Sequence, residues 1–136
     1  MRLNTYLNFN GRCAEAFTFY QNTLGGQIGM SMTHGESPAK DFVSADWHDK
    51  IMHIRLDLGD QILMGSDAPP EHYRKPQGMV VSVTVPTTGE AERIFNTLAD
   101  GGKITMPFQK TFWSTGFGMA VDRFGIPWMV NTDQAA

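Results

Sequence analysis

Residues 111–132 have the sequence TFWSTGFGMAVDRFGIPWMVNT, and this stretch predicts how the second half of the chain folds. Two short apolar segments, 119–121 and 127–132, flank the tetrapeptide Asp122-Arg123-Phe124-Gly125. An aspartate hydrogen-bonds backbone two residues ahead and a glycine accepts positive φ, so this tetrapeptide favours a chain reversal. The stretch therefore predicts a β-hairpin, and we expect its strands to direct bulky side chains toward a shared hollow.

The residues before the hairpin predict a strand, a helix and another extended segment. Residues 79–85 alternate apolar and polar side chains, which is typical of a strand. The capping-box pattern Thr87-Thr88-Gly89-Glu90 then predicts a helix near 88–100, which Gly101-Gly102 ends. With an extended segment over 104–112, the order becomes strand, helix, strand, strand, strand.

The first half of the chain repeats this order. It has a strand over 3–10, a helix near 11–24 and a strand over 27–33. After a surface excursion over 34–51, a hairpin follows over 52–58 and 61–66. The apolar residues of the two halves superpose at a constant offset of 74, which favours an internal repeat. We therefore predict one α+β domain, 1–136, with two βαβββ modules (1–68 and 78–136) joined by a proline-rich linker (69–77). One helix covers one face of each sheet, so the curved mixed sheet should leave an open cleft.

Composition excludes several classes of protein. The net charge is −3 and the basic residues are scattered, which argues against nucleic-acid partners. No run of 18 apolar residues occurs and residues 1–24 lack a signal-peptide pattern, so neither a membrane span nor export is predicted. Cys13 is the only cysteine, which excludes an internal disulfide and fits a reducing cytoplasm.

Three ionisable residues alternate onto one face of the predicted strand 52–58. His53 is a candidate general base or hydrogen-bond donor, and Asp57 is its candidate partner in catalysis. Arg55 is a candidate to hold an anionic group of a ligand. The alternative interpretation is a solvated strand face whose charges pair with one another.

A second set of residues predicts an apolar pocket with a few polar anchors, which is the usual composition of a small-molecule site. Large apolar residues in strands are more often core, and this is the alternative for each of them singly. The predicted ligand-binding residues, besides Arg55, are Tyr6, Asn8, Met64, Ser66, Phe112, Trp113, Trp128, Met129 and Asn131.

The repeated βαβββ order and four motifs resemble the vicinal oxygen chelate superfamily, which includes glyoxalase I, extradiol dioxygenases and bleomycin-resistance proteins. The motifs are those of its PhnB-like branch: Tyr6-Leu7-Asn8-Phe9-Asn10-Gly11, Met64-Gly65-Ser66-Asp67, Thr111-Phe112-Trp113, and Asp122-Arg123-Phe124-Gly125 followed by Trp128. The branch often carries a methyltransferase label, but the chain lacks the glycine-rich loop of a nucleotide-binding doubly wound sheet.

The resemblance implies a divalent metal held by the first and last strand of each module. Carried over to this chain, the ligand positions are Tyr6 (Thr5 with a slip of one), Met64, Val80 and Met129. A slip at the other positions would offer Leu63, Val81, Val130 or Trp128. None of these is a hard-cation ligand, so we predict neither a metal nor another cofactor.

Three functions remain open at the level of sequence. The first is a metal-independent binding protein of the glyoxalase/bleomycin-resistance type, with an unidentified small molecule in the cleft. The second is a lyase or isomerase that acts through His53 and Asp57. The third is a dimeric scaffold whose cleft is filled by its own side chains. We expect a homodimer in each case, because strand-edge pairing between chains is common in this superfamily.

Overall fold

The computed structural model describes residues 1–135, and in these residues the predicted order of two βαβββ modules is confirmed. The first module contains β1 (Thr5–Phe9), α1 (Cys13–Leu24), β2 (Gln27–Thr33), β3 (Ile51–Leu58) and β4 (Gln61–Asp67). The second contains β5 (Val81–Val85), α2 (Thr88–Ala99), β6 (Lys103–Gln109), β7 (Phe117–Val121) and β8 (Pro127–Thr132). The chain divides into two compact units, Met1–Arg74 and Lys75–Ala136, and the boundary lies inside the predicted linker. Neither described helix is long and apolar enough to cross a bilayer.

The first unit is a four-stranded sheet with one helix on one of its faces. Its strand order is β1-β4-β3-β2, in which β1 and β4 are parallel and the other neighbours are antiparallel. Helix α1 packs on β3 and β4. The core between helix and sheet is aromatic, because Phe9, Phe17 and Tyr20 are buried and their rings contact one another. These contacts fix which side of the sheet is left free of a helix.

A buried carboxylate completes the first unit. Asp67, the last residue of β4, accepts backbone N–H groups from Gly11 (2.8 Å), Cys13 (3.0 Å) and Ile51 (3.0 Å). The residue before α1, Arg12, makes no capping hydrogen bond with its side chain. Asp67 therefore satisfies the start of α1 from a distant strand and also fixes the start of β3.

The excursion between β2 and β3 is tied to the sheet. It contains two single-turn 3-10 helices, Lys40–Phe42 and Ala45–Trp47. His34 Nε2 lies 2.9 Å from the carbonyl oxygen of Asp67, and the amide of Gly35 donates to the carbonyl of His48 at 2.9 Å. Ser37 is buried. The segment between β2 and β3 is thus held against the sheet by hydrogen bonds and by burial of Ser37.

The second unit has the same plan, with strand order β5-β8-β7-β6. Helix α2 buries the apolar stripe that the sequence predicted, Ala91, Ile94, Phe95 and Leu98. Thr87 caps this helix by accepting the N–H of Glu90 at 3.3 Å. The predicted capping box therefore forms its first bond.

The predicted hairpin β7–β8 is present, and a second buried carboxylate shapes its turn. Asp122 Oδ1 accepts the N–H groups of Phe124 (2.9 Å) and Ile126 (3.0 Å). Asp122 Oδ2 accepts the indole N–H of Trp128 at 2.8 Å. Gly125 has φ 92, the left-handed conformation that the turn requires.

Two sequence-based placements were wrong in the second unit. Strand β6 ends at Gln109 rather than near residue 112, and residues 110–116 form a loop. The ladders pair Tyr6 with Met64 and Ser82 with Met129, so Ser82 and not Val80 corresponds to Tyr6. The offset between the strands is therefore two residues larger than predicted. Side chains alternate with period two along a strand, so apolar alternation cannot distinguish offsets that differ by two.

Candidate functional site

The helix-free face of the first sheet carries most of the candidates from the first module. Residues paired across a ladder point to the same face, and the pairs Tyr6–Met64, Met64–Arg55 and Arg55–Met30 form one row across all four strands. A neighbouring row contains Asn8 with Ser66, and His53 with Met32. None of these side chains is buried, whereas those on the opposite face pack under α1.

Tyr6 and His53 form a hydrogen-bonded pair on this face. The Tyr6 hydroxyl lies 2.9 Å from His53 Nδ1, and the rings stack with centroids 5.6 Å apart and planes inclined by 28°. Strand β4 separates β1 from β3, so the pair spans the middle of the sheet. When the hydroxyl donates to Nδ1, the imidazole carries its hydrogen on Nε2, which becomes a donor toward a ligand.

A second polar pair lies beside it. Ser66 Oγ donates to Asn8 Oδ1 at 3.3 Å, across the parallel ladder of β1 and β4. The face thus combines uncharged hydrogen-bonding groups with the thioethers of Met30, Met32 and Met64. That mixture of apolar area and few polar anchors is typical of small-molecule sites.

Asp57 is engaged by Arg55 rather than by His53. Arg55 Nε lies 3.0 Å from Asp57 Oδ1 without the alignment of a hydrogen bond, and Nη2 donates to Oδ2 at 3.5 Å. The side chains are 40% and 36% exposed. The predicted catalytic partnership of His53 with Asp57 is therefore not formed, and Arg55 is not held ready for an anion, because each charge already has its partner on the same strand.

The helix-free face of the second sheet carries an oriented tryptophan. Trp113, in the loop before β7, donates its indole N–H to Asn131 Oδ1 at 3.2 Å and packs edge-on against Phe117 with centroids 5.2 Å apart. The residue is still 47% exposed. Ser114 is fully buried and hydrogen-bonds Gly116, which fixes the loop.

Phe112 and Met129 complete the predicted set in the second unit. The Phe112 ring contacts Trp113 edge-to-face at 4.8 Å and is 92% exposed, so it lies at the rim and not in a pocket. Met129 pairs with Ser82 and Met119 on the helix-free face. Trp113, Met129 and Asn131 are thus brought together, and Phe112 lies outside them.

Trp128 does not line the helix-free face, and the prediction that it does was wrong. It is 1% exposed, pairs with Val81 and Ala120, and donates to the buried Asp122. Consecutive residues of a strand point to opposite faces, so Trp128 and Met129 could not both line the hollow. That alternation was available in the sequence.

Sequence reasoning missed other residues on the two helix-free faces. Their positions depend on which strands are neighbours, and the sequence alone does not give the ladders. By register they are Met30, Met32, Ser82, Thr84, Phe117 and Met119.

The donors at the metal positions of the superfamily do not fit a hard divalent cation. The first sheet offers Tyr6, whose hydroxyl is hydrogen-bonded to His53, and Met64. The second offers Ser82 and Met129. Within residues 1–135, no three His, Cys, Asp or Glu side chains group as a metal site. Mg²⁺ and Mn²⁺ are held by carboxylates and other oxygen ligands, and Zn²⁺ by imidazole, thiolate or carboxylate. The thioethers and hydroxyls at these positions do not match the group that the fold implies.

Similar proteins place the chain in a family. The family model "Glyoxalase/Bleomycin resistance protein/Dioxygenase superfamily" matches residues 2–130. Protein YjdN of Escherichia coli (strain K12) is 36% identical in an alignment 139 residues long, gaps included, that covers 96% of this chain and 95% of that protein. The crystal structure of protein PA1353 from Pseudomonas aeruginosa has 47% identity and a TM-score of 0.90, and the match covers 98% of each chain.

A PhnB protein from Bacillus cereus, named as a putative 3-demethylubiquinone-9 3-methyltransferase, has a TM-score of 0.81 and 24% identity, over 97% of this chain and 99% of that one. At that identity the match shows the fold alone, and it supports the PhnB-like resemblance at that level. The repeated modules, the matched residues and the YjdN relative agree: the chain belongs to the glyoxalase/bleomycin resistance/dioxygenase superfamily.

Proposed function

We propose that the chain is a metal-independent small-molecule-binding protein that holds its ligand on the helix-free face of its first sheet. The observation that carries this proposal is the Tyr6–His53 pair. At the position where the superfamily supplies a metal ligand, this chain has a phenol that is hydrogen-bonded to an imidazole across the sheet. The pair offers hydrogen bonds to a ligand directly, without an ion between them.

The surroundings of the pair support binding without a metal. Met64 lies between β1 and β3 in the same row, and a thioether does not replace the hydration of a hard cation. Removing such a cation from water without charged ligands costs several kcal/mol or more. The same apolar area favours an organic ligand, because it is exposed and gains from burial at roughly 25 cal/mol per Å².

A second candidate function is a lyase or isomerase reaction in which His53 moves a proton. The observation that favours it is again the contact between the Tyr6 hydroxyl and Nδ1, which orients the imidazole. In the tautomer whose hydrogen is on Nδ1, the ring donates to the Tyr6 oxygen and Nε2 is free to accept a proton from a substrate. Asp57 has no part in this version, because it pairs with Arg55.

The test is a thermal-shift panel on protein dialysed against EDTA and checked by elemental analysis. The panel contains catechol, bleomycin and the hemithioacetal of methylglyoxal with glutathione. We expect at least one compound to raise Tm in the metal-free protein, and Tyr6→Phe or His53→Asn to weaken its binding by about tenfold, the value of one hydrogen bond. Matched controls are Tyr73→Phe and His72→Asn in the segment between the modules.

Stoichiometric first-row metal retained after dialysis, or stabilisation that requires added Ni²⁺ or Zn²⁺, would contradict metal-independent binding. Product assays on the same samples separate the two candidates. Turnover without metal that His53→Asn abolishes would establish the enzyme, and binding without turnover would establish the binding protein.

A further inference from the structure

Gly29 on strand β2 has no backbone reason to be a glycine. Its φ lies outside the left-handed region, so any residue could adopt its conformation. A Cβ atom built there would lie 2.1 Å from Asp57 Oδ2 and 3.0 Å from Arg55 Nη2. The Arg55–Asp57 ion pair therefore occupies the space that a side chain at position 29 would need.

The strand geometry explains this placement. The β2–β3 ladder pairs Gln27 with Asp57 and Met30 with Arg55, and a register shift lies between Ile28 and Met30. Gly29 sits at that irregularity, against the two charged groups. The ion pair thus packs directly against the backbone of β2 at Gly29, and this contact is what we call its seat.

The ion pair cancels the charge of this face. With histidine counted as neutral, the charged side chains across β1 to β4 are Arg55, Asp57 and Asp67. Asp67 is buried on the helix side, where it accepts three backbone N–H groups. The helix-free face therefore carries one positive and one negative charge, and these lie 3.0 Å apart at their nearest atoms.

We propose that this seated pair makes the helix-free face of the first sheet select uncharged ligands, with Asp57 as the specificity-determining residue. The inference rests on the proposed binding function and names its ligand class. An anion approaching Arg55 meets the Asp57 carboxylate first, and a cation approaching Asp57 meets the guanidinium. The groups that remain for a ligand are neutral: the Tyr6–His53 pair and the Asn8–Ser66 pair.

The experiment compares benzoate with benzamide, two flat probes of the same shape that differ in charge. Binding at pH 8 is followed by NMR shifts of residues on β1, β3 and β4. In the wild type we expect benzamide to bind more tightly than benzoate. Asp57→Asn should increase benzoate affinity by about tenfold, because it frees a partly exposed guanidinium and removes a like charge.

Three further variants locate the effect. Asp57→Asn combined with Arg55→Met should lose the gain. Asp60→Asn removes the same charge at the neighbouring β3–β4 turn and should leave benzoate affinity unchanged. Gly29→Ala keeps both charges but displaces the carboxylate, so it should give part of the Asp57→Asn gain.

Wild-type protein that binds benzoate as tightly as benzamide would overturn the proposal, and so would Asp57→Asn without a gain. A Gly29→Ala variant identical to the wild type would overturn the seating of the pair. The proposed function is judged separately by the Tyr6 and His53 variants. If those weaken binding while Asp57→Asn has no effect, the inference fails alone.

Discussion

Single residues orient the exposed aromatic rings of both modules. Tyr6 is held by His53 in the first and Trp113 by Asn131 in the second, each through one hydrogen bond to a side chain from another strand of the same sheet. Each ring remains exposed to solvent. A ring that is already oriented loses less freedom when a ligand stacks on it, so these bonds favour binding through preorganisation.

Cys13 should make the free energy of unfolding depend on pH. Burial, and secondarily the negative charge of Asp67, raise the thiol pKa above its ordinary value of 9.0. Above pH 9 the unfolded state then binds fewer protons than the folded state, so stability falls as pH rises, by up to about 1.4 kcal/mol per pH unit. Below pH 9 this contribution is constant. Urea unfolding between pH 7.5 and 10.5 measures it.

The matched variant for this prediction is Cys13→Ala, which removes the titrating group from the same buried position. It should lower stability at all pH values but flatten the decline above pH 9. A decline of the same slope in both proteins would assign the effect to other groups. Thiol reagents should also react with Cys13 only after unfolding, because it is fully buried.

The sequence predicted which residues of the first site share a face of the sheet, but it did not predict which side chains contact one another. Alternation along a strand placed His53 and Arg55 on one face. Tyr6 and His53 are 47 residues apart, and which of them meet depends on β4 lying between β1 and β3. The sequence leaves pairing of Arg55 with Asp57 open as one interpretation, but the placement of this pair against Gly29 requires the register of β2.

The two helices begin in different ways, and this difference can be measured. Thr87 caps α2 with its own side chain, so Thr87→Ala should cost about 1 kcal/mol in the free energy of unfolding. Arg12 occupies the same position before α1, makes no cap, and forms an exposed ion pair with Glu15. Arg12→Ala should therefore cost less than about 0.5 kcal/mol. Urea unfolding that ranks the variants in reverse would contradict this account.

Substitution of Gly65 tests how closely α1 packs on the first sheet, and substitution of Gly89 in α2 is its contrast. A Cβ at Gly65 of β4 would lie 2.6 Å from the Phe17 ring and 2.9 Å from the carbonyl oxygen of Leu7. Gly65→Ala should therefore destabilise by about 1–3 kcal/mol through overpacking. Gly89, in the first turn of α2, has open space around it and no positive φ. Gly89→Ala should be stabilising by about 0.5 kcal/mol, and calorimetry should show Tm shifts of opposite sign.

At the scale of elements, the sequence predicted order and type better than endpoints. The helices and the β7–β8 hairpin were predicted because caps, apolar stripes and the Asp122–Gly125 turn are local signals. Residues 110–112 were predicted to be extended, because an aromatic residue such as Phe112 favours a strand, but they belong to the loop over 110–116. It is held instead by Ser114 and by the bond from Trp113 to Asn131, which are contacts with another part of the hairpin.

We expect the whole molecule to be a homodimer in solution. Strands β2 and β6 each form one edge of their sheet, and they carry exposed apolar side chains: Met30 on β2, and Ile104 and Met106 on β6. Unpaired edges with apolar side chains favour pairing with another chain. Sedimentation equilibrium should give twice the chain mass of 15.1 kDa. A monomer at micromolar concentration would contradict the expectation, and Met106→Lys should weaken a dimer that uses β6.

The division into two modules was recognisable from the repeated order of elements, since each module contains its own strand, helix and hairpin signals. The exact alignment of the two repeats was not recognisable. Apolar alternation has a period of two, so it fits the predicted offset of 74 as well as the offset between β1 and β5, which is two residues larger. The consequence fell on one residue: Ser82, not Val80, shares a ladder position with Tyr6.

The bonds of Asp67 also bear on the order in which the chain can mature during synthesis. The backbone amides of residues 11, 13 and 51 bond to a carboxylate that is translated after them, whereas the bonds that Asp122 accepts from Phe124, Ile126 and Trp128 span at most six positions. A nascent chain that ends before residue 67 has α1 without its distant acceptor. The ribosome must therefore release the whole of β4 before the first module can close, while the last turn of the second module assembles as it emerges.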